Sequence, residues 1–132
     1  MILLSVNPPY AGWLVDGIKE IEWRKGVLPS GRAFVYETKK CGGSGMVIGE
    51  VRFLGYTKLP TNLVPADYIQ RGRVDKEFLQ RYAGSKPIYA NFTFTNLRYK
   101  EPRRLSDYGK VGFVGPVPLE RPPQSWMYVV EL

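Results

Sequence analysis

The stretch Asp16–Lys25, DGIKEIEWRK, sets Lys19, Glu22 and Arg24 close together around Ile21 and Trp23. A lysine can hold a phosphate as a point charge. If desolvation lowers its pKa, it can also act as a base or nucleophile. Arg24 can fork onto a phosphate or stack on a base. Glu22 repels phosphates, but it can accept from the amino group of cytosine or the imino edge of guanine, which unpaired bases expose. A site of mixed sign therefore suits one nucleotide better than a long backbone. On open surface the same charges would amount to a solvated ion pair, contributing only about 0–1 kcal/mol. A strand that buries its alternate residues would instead hold them rigidly at the wall of a cleft.

The order of apolar and polar residues predicts such a strand over residues 18–24. Ile21 and Trp23 point one way, and Glu20, Glu22 and Arg24 the other. Before it, Ile2–Val6 reads as a central strand, and Asn7 as the cap of a helix with Pro8 at its first position. Tyr10, Trp13 and Leu14 give that helix its apolar face, and Gly17 suits the left-handed residue after its last turn. AFVYET at 33–38 is a third strand, the glycines of Cys41–Gly45 a hairpin turn, and residues 47–54 a long fourth strand.

Residues 60–74 read as irregular, with short helical turns. Asp75 caps a helix with Phe78, Leu79 and Tyr82 on its apolar face and Gly84 at its end. A strand follows at 90–95. Residues 100–125, rich in Pro, Gly and charge, read as a long excursion, and SWMYVVEL closes the chain as a last strand. About six strands against two clear helices predict a mainly β, α+β fold with a closed or nearly closed barrel.

The 132 residues form one domain, 1–132, with 44% hydrophobic residues and no linker or repeat. Nineteen Lys and Arg against twelve Asp and Glu leave +7, which favours polyanionic partners. Histidine is absent and Cys41 is the only cysteine, which removes His-based triads, most zinc sites and any intrachain disulfide. No metal or other cofactor is expected, and any proton transfer falls to a carboxylate, a lysine or water. No run approaches the roughly 18–20 apolar residues of a membrane span, so a soluble, cytoplasmic protein is expected.

Gly17, Lys19, Glu22 and Arg24 fit the pattern G-x-K-x-x-E-x-R, and in this position they resemble the signature of the ASCH domain family, a branch of the PUA-like barrels. LSVNPPYAGWLVDG resembles that family's opening, FVYETKK and MVIGEV its paired third and fourth strands, and RPPQSWMYV its closing strand. The resemblance spans nearly the whole chain. It implies a PUA-like β-barrel of five to six strands with two or three short helices. The implied cleft lies between the first helix and the barrel and takes RNA or a nucleotide-like ligand. Some small members hydrolyse acetylated cytidine with a lysine, a threonine and a carboxylate. Lys19 matches the lysine, but Glu22 stands in the threonine's place, which counts against that activity here.

The expected ligand-binding residues are thus Ser5, Asn7, Lys19, Glu22, Arg24, Thr38, Lys39, Gln124 and Ser125. If the protein is an enzyme, an amidohydrolase or ribonuclease, Lys19 and Glu22 would be its catalytic pair. Replacing Lys19 or Arg24 by alanine should then weaken binding with little effect on melting. A second, nucleic-acid-binding group is Arg98, Lys100, Arg103, Arg104 and Lys110, interleaved with Tyr99 and Tyr108, which could stack on single-stranded bases at about 1–3 kcal/mol each. A further basic group, Arg71, Arg73, Lys76, Arg81 and Lys86, reads equally well as a solvated face. Trp126 is expected in the core.

Overall fold

Alternation along the first strand already divides the interior. The computed structural model describes residues 1–132, and Ile2–Val6 forms strand β1, buried along its whole length. Ile2, Leu4 and Val6 face one core, while Leu3 faces another. Strand β3 (Gly31–Glu37), parallel to β1, repeats the division: Ala33 and Val35 join the first core, Phe34 and Tyr36 the second. Helix α1 (Tyr10–Val15) covers the first core with Ala11, Leu14 and Val15. Tyr108, Leu119 and Val129 cover the second.

Strands β2 (Ile21–Arg24), β4 (Met46–Leu59), β5 (Ile88–Arg103) and β8 (Trp126–Tyr128) complete a six-stranded, curled half-barrel sheet in the order β2-β5-β4-β3-β1-β8. The two edges, β2 and β8, do not pair, so the barrel stays open at one seam. A small sheet of β6 (Tyr108–Gly112), β7 (Gly115–Pro118) and β9 (Val130–Glu131) has the order β7-β6-β9.

The expected α+β architecture, mainly β, holds, and several local expectations are corrected. Residues 60–74 contain a turn of 3₁₀ helix at Thr61–Leu63 and a helix, α2 (Ala66–Gly72), so the helices number three. The strand expected over 90–95 runs for 16 residues, and most of the expected excursion is the end of β5 plus the β6–β7 hairpin. The closing strand divides at Val129, which is buried in the second core. Asn7 does not cap α1: the helix begins at Tyr10, and the Asn7 side chain accepts a 2.7 Å bond from Thr38 Oγ1 instead. Asp75 does cap α3 (Lys76–Ala83), accepting from the Phe78 amide at 2.6 Å.

Helices α2 and α3 interrupt the β4–β5 hairpin, leaving it after Leu59 and rejoining at Ile88, which is paired with Leu59. They pack over β2 through a third core of Ile21, Trp23, Leu79, Ala83, Ile88 and Ala90. Gly72 lies directly against Trp23, where an added Cβ would sit 2.0 Å from the indole Nε1. Gly72→Ala should therefore displace the helical insert and destabilise the protein by about 1–3 kcal/mol, as overpacked sites do. A urea titration checks this, and an unchanged midpoint would show that the contact has slack.

Candidate functional site

Between the open seam, α1 and α3 lies a cavity of about 740 Å³, within the roughly 300–1,000 Å³ usual for small-molecule sites. All nine residues expected to bind ligand line it: Ser5, Asn7, Lys19, Glu22, Arg24, Thr38, Lys39, Gln124 and Ser125. Lys19 and Glu22 make its floor, with only 2% and 5% of their surfaces exposed. Asn7, Lys39, Gln124 and Ser125, all exposed, stand at its rim.

Local backbone geometry sets Lys19. Gly17 turns the chain off α1 with φ +74°, and a Cβ there would press on the Asn96 side chain at 2.9 Å. The amides of Ile18 and Lys19 both donate to the Trp13 carbonyl, at 2.9 and 3.0 Å. The Lys19 ammonium donates to the Gly72 carbonyl, stands 5.8 Å from the Tyr10 ring centre and lies 3.9 Å from Glu22 Oε1. Burial pushes its pKa down to about 8; the Glu22 carboxylate opposes that fall and Arg24 adds to it.

Glu22 is held just as closely. Arg24 Nε and Nη2 both donate to Oε2, at 2.9 and 2.7 Å, which leaves Oε1 turned toward Lys19. Asn91, almost completely buried and not anticipated as important, fixes the backbone beneath: its amide donates to the Glu22 and Gly26 carbonyls and accepts from the Leu28 amide.

Arg24 has a second task. Across the seam it donates to the Ser5 carbonyl at 2.9 Å and to Ser125 Oγ at 3.1 Å, joining β2 to the far side of the sheet. Ser5 Oγ in turn donates to the Pro123 carbonyl at 2.7 Å. Arg24→Ala therefore cannot be neutral for stability, contrary to the expectation above, because it unties the seam and strips Glu22 of both hydrogen bonds. Lys19→Ala is corrected likewise, since it leaves the Gly72 carbonyl without its donor.

Sequence reasoning missed the aromatic wall. Tyr10, Tyr36, Phe78 and Tyr82 line the cavity, with Phe78 and Tyr82 parallel within 6° at 6.4 Å and Tyr10 6.4 Å from Phe78. Phe78 and Tyr82 read as the buried face of their helix. Leu79 does lie in the third core, beside Ala83; Tyr82 packs half-buried against that core as well as lining the cavity, and Phe78 turns its exposed ring to the cavity. Lys40, at the rim, was also passed over.

The second basic group lies outside the cavity, and three of its members have partners within the chain. Arg98 pairs with Asp16 at 2.7 Å, and its hydrogen bonds hold the aspartate below its ordinary pKa. Arg103 reaches Tyr108 Oη and Glu131 and covers the Tyr99 ring at 4.0 Å; Arg104 stands 3.9 Å from Asp107. Lys100 and Lys110 are exposed. Arg71 lies over Phe92 and near Glu20. Trp126 packs half-buried against the first core. No cluster of three His, Cys, Asp or Glu side chains is arranged to hold a metal, and no helix is long and apolar enough to cross a membrane.

The fold is that of ASCH domain proteins. The ASCH protein of Zymomonas mobilis matches it with a TM-score of 0.72 at 19% identity, over 96% of this chain and 85% of that one. A serine-to-alanine variant of that protein matches at 0.71 and 18%, and a tyrosine-to-phenylalanine variant at 0.71 and 19%, again over 96% of this chain and over 86% and 88% of theirs. No protein-family model and no curated protein matches the chain.

The buried lysine yields a pH prediction. Below about 8 both folded and unfolded chains carry the Lys19 proton, and the penalty of burying it is fully present. Between about 8 and 10.5 the folded chain has released a proton that the unfolded chain retains, so this group's contribution to stability rises with pH. ¹⁵N-detected NMR should find one lysine titrating near 8. Glu22→Gln should move that midpoint lower, because it removes the charge that opposes the fall. A midpoint above 10 would refute the burial argument.

Proposed function

We propose that this protein is an ASCH family member whose cavity binds one nucleotide, free or within an RNA strand. The observation that carries the reading is the composition of the lining: the cations Lys19, Arg24, Lys39 and Lys40 with one carboxylate, Glu22, opposite an aromatic wall. Lys39 and Lys40 at the rim suit a phosphate, which can stay half-hydrated there. Phe78, Tyr82 and Tyr10 suit the face of a base, and base–aromatic stacking is worth about 1–3 kcal/mol. Glu22 Oε1, free of Arg24, can accept from the base edge. The excess of positive charge also draws a polyanion in, consistent with the chain's +7.

A second reading has its own support. A lysine with a pKa near 8 is partly neutral close to neutral pH, which is what a base or nucleophile needs. With Glu22 3.9 Å away, Lys19 could serve an amidohydrolase acting on acetylated cytidine or a ribonuclease. Against this, the cavity hydroxyls of Ser5 and Thr38 are donated to the Pro123 carbonyl and the Asn7 side chain.

Because Lys39 and Lys40 are exposed and make no ion pair, their replacement tests binding without disturbing the fold. The K39A/K40A variant should lose about tenfold or more in affinity for a nucleoside monophosphate and far less for the nucleoside, measured by calorimetry. Equal loss on both, or no binding of either ligand by the unaltered protein, would end the proposal. Turnover of acetylated cytidine or RNA that disappears in Lys19→Met would establish the second reading.

A further inference from the structure

Two prolines end the β4–β5 ladder and open a second cavity. Beyond the Leu59–Ile88 pair the next residues are Pro60 and Pro87, which have no amide hydrogen to continue the pairing. The strands part there around about 380 Å³ at the foot of the helical insert. Lys58 and Lys86 line this space together with the neutral donors Thr61, Asn62 and Ser85. Both lysines are exposed and make no ion pair, and none of the five side chains forms a hydrogen bond within the chain. We propose that this cavity binds a backbone phosphate of an RNA strand whose anchoring nucleotide occupies the main cavity, with Tyr56 and Tyr89 stacking on the adjoining base. The inference rests on the reading above and deepens it, because it selects an RNA strand over a free nucleotide.

Position, charge and aromatic surface favour this occupant. Arg24, Tyr89 and Lys58 stand in register across β2, β5 and β4, so their side chains share one face of the sheet. Arg24 lines the main cavity and Lys58 the second, two strand spacings or about 10 Å apart, with Tyr89 between them. The surroundings are cationic: no residue from 51 to 66 or from 78 to 100 is acidic. The nearest acids on the bordering segments, Asp67 and Glu77, do not line the second cavity. Beside Lys58, whose ammonium is 5.7 Å from the Tyr89 ring centre, the Tyr89 and Tyr56 rings stand 5.8 Å apart, and Tyr56 is 50% exposed. An unpaired cation next to a free ring matches the phosphate and base of one nucleotide in a single strand. An inorganic anion would engage the lysines and leave the rings idle. A second contact on a strand already held elsewhere adds to affinity without having to bind alone.

The test compares ligands of two lengths: a twelve-nucleotide single-stranded RNA, by fluorescence anisotropy, and a nucleoside monophosphate, by calorimetry. The variants are K58A/K86A, Y56A, their conservative counterparts K58R/K86R and Y56F, and R52A/K76A, which removes the same charge from exposed, unpaired positions elsewhere. All these side chains are exposed, so melting temperatures should be unaltered. K58A/K86A and Y56A should each bind the RNA about tenfold more weakly and the monophosphate unchanged, while K58R/K86R and Y56F retain RNA affinity. The salt dependence of RNA binding should become shallower in K58A/K86A by about 0.7 in the logarithmic slope, the value of one lost phosphate on a single strand. Unchanged RNA affinity in K58A/K86A or in Y56A overturns the proposal. So does an equal loss in R52A/K76A, or a loss on the monophosphate as large as that on RNA. If no monophosphate binds the unaltered protein but RNA binding still depends on Lys58, Lys86 and Tyr56, the main-cavity reading fails and the second site stands.

Discussion

One guanidinium group closes what the backbone leaves open. A six-stranded sheet curled this far would complete a barrel if its edges met, but β2 and β8 do not pair. Arg24 spans the gap from β2, donating to the Ser5 carbonyl on β1 and to Ser125 just before β8. The Ser5 amide donates to the Ser125 carbonyl, and the Ser5 carbonyl beside it accepts from the Arg24 guanidinium. Glu22 aims the guanidinium by taking two of its bonds on one oxygen. The cavity is the space this arrangement keeps open; direct strand pairing would fill it. Such a pair is expensive to desolvate and becomes much more so if one partner is removed, so the two residues act as a unit.

From this constraint the electrostatics of the floor follow. Oε1 of Glu22 is left facing Lys19, and Lys19 is buried between that carboxylate, the Tyr10 ring and the Gly72 carbonyl. Desolvation prevails over the attraction of Glu22, because at 3.9 Å the carboxylate is outside hydrogen-bond range and also serves Arg24. The result is an acceptor and a readily deprotonated donor side by side beneath an aromatic wall. That combination serves recognition of a base and serves proton transfer, which is why both functional readings draw on the same two residues.

The site's polar half was legible in the sequence for a simple reason. In a strand of four residues, period-two alternation alone decides that Ile21 and Trp23 go inward together and Glu22 and Arg24 share the other face. Spacing also placed Gly17 and the Asp75 cap. The aromatic half was not legible, since Phe78 and Leu79 are neighbours on a helix and only the packing of α3 decides which of them meets the core. The seam was hidden too: Arg24 and Ser125 are a hundred residues apart in the chain, and nothing local distinguishes a strand that closes a barrel from one that stops short. The basic run at 98–110 looked free because Asp16 and Glu131, which pair with two of its arginines, are distant in sequence. The side-chain amide of Asn91 and the glycine at 72 gave no local signal at all, as their partners are set by tertiary packing.

The wall and the floor belong to different parts of the chain. Lys19, Glu22 and Arg24 stand on the barrel, whereas Phe78 and Tyr82 come from a helical insert that leaves the β4–β5 ladder at Leu59 and returns at Ile88. Because Leu59 and Ile88 pair directly, the ladder would close without the insert, so its residues can vary without cost to the barrel's hydrogen bonds. What ties the insert to the site is the bond from Lys19 to the Gly72 carbonyl, together with the close fit of Gly72 on Trp23. The same ammonium that faces the ligand space thus also anchors the wall that shapes it. Any change in that lysine's charge is felt at both places, and a ligand that draws its proton toward the cavity competes with the carbonyl that holds the wall in position.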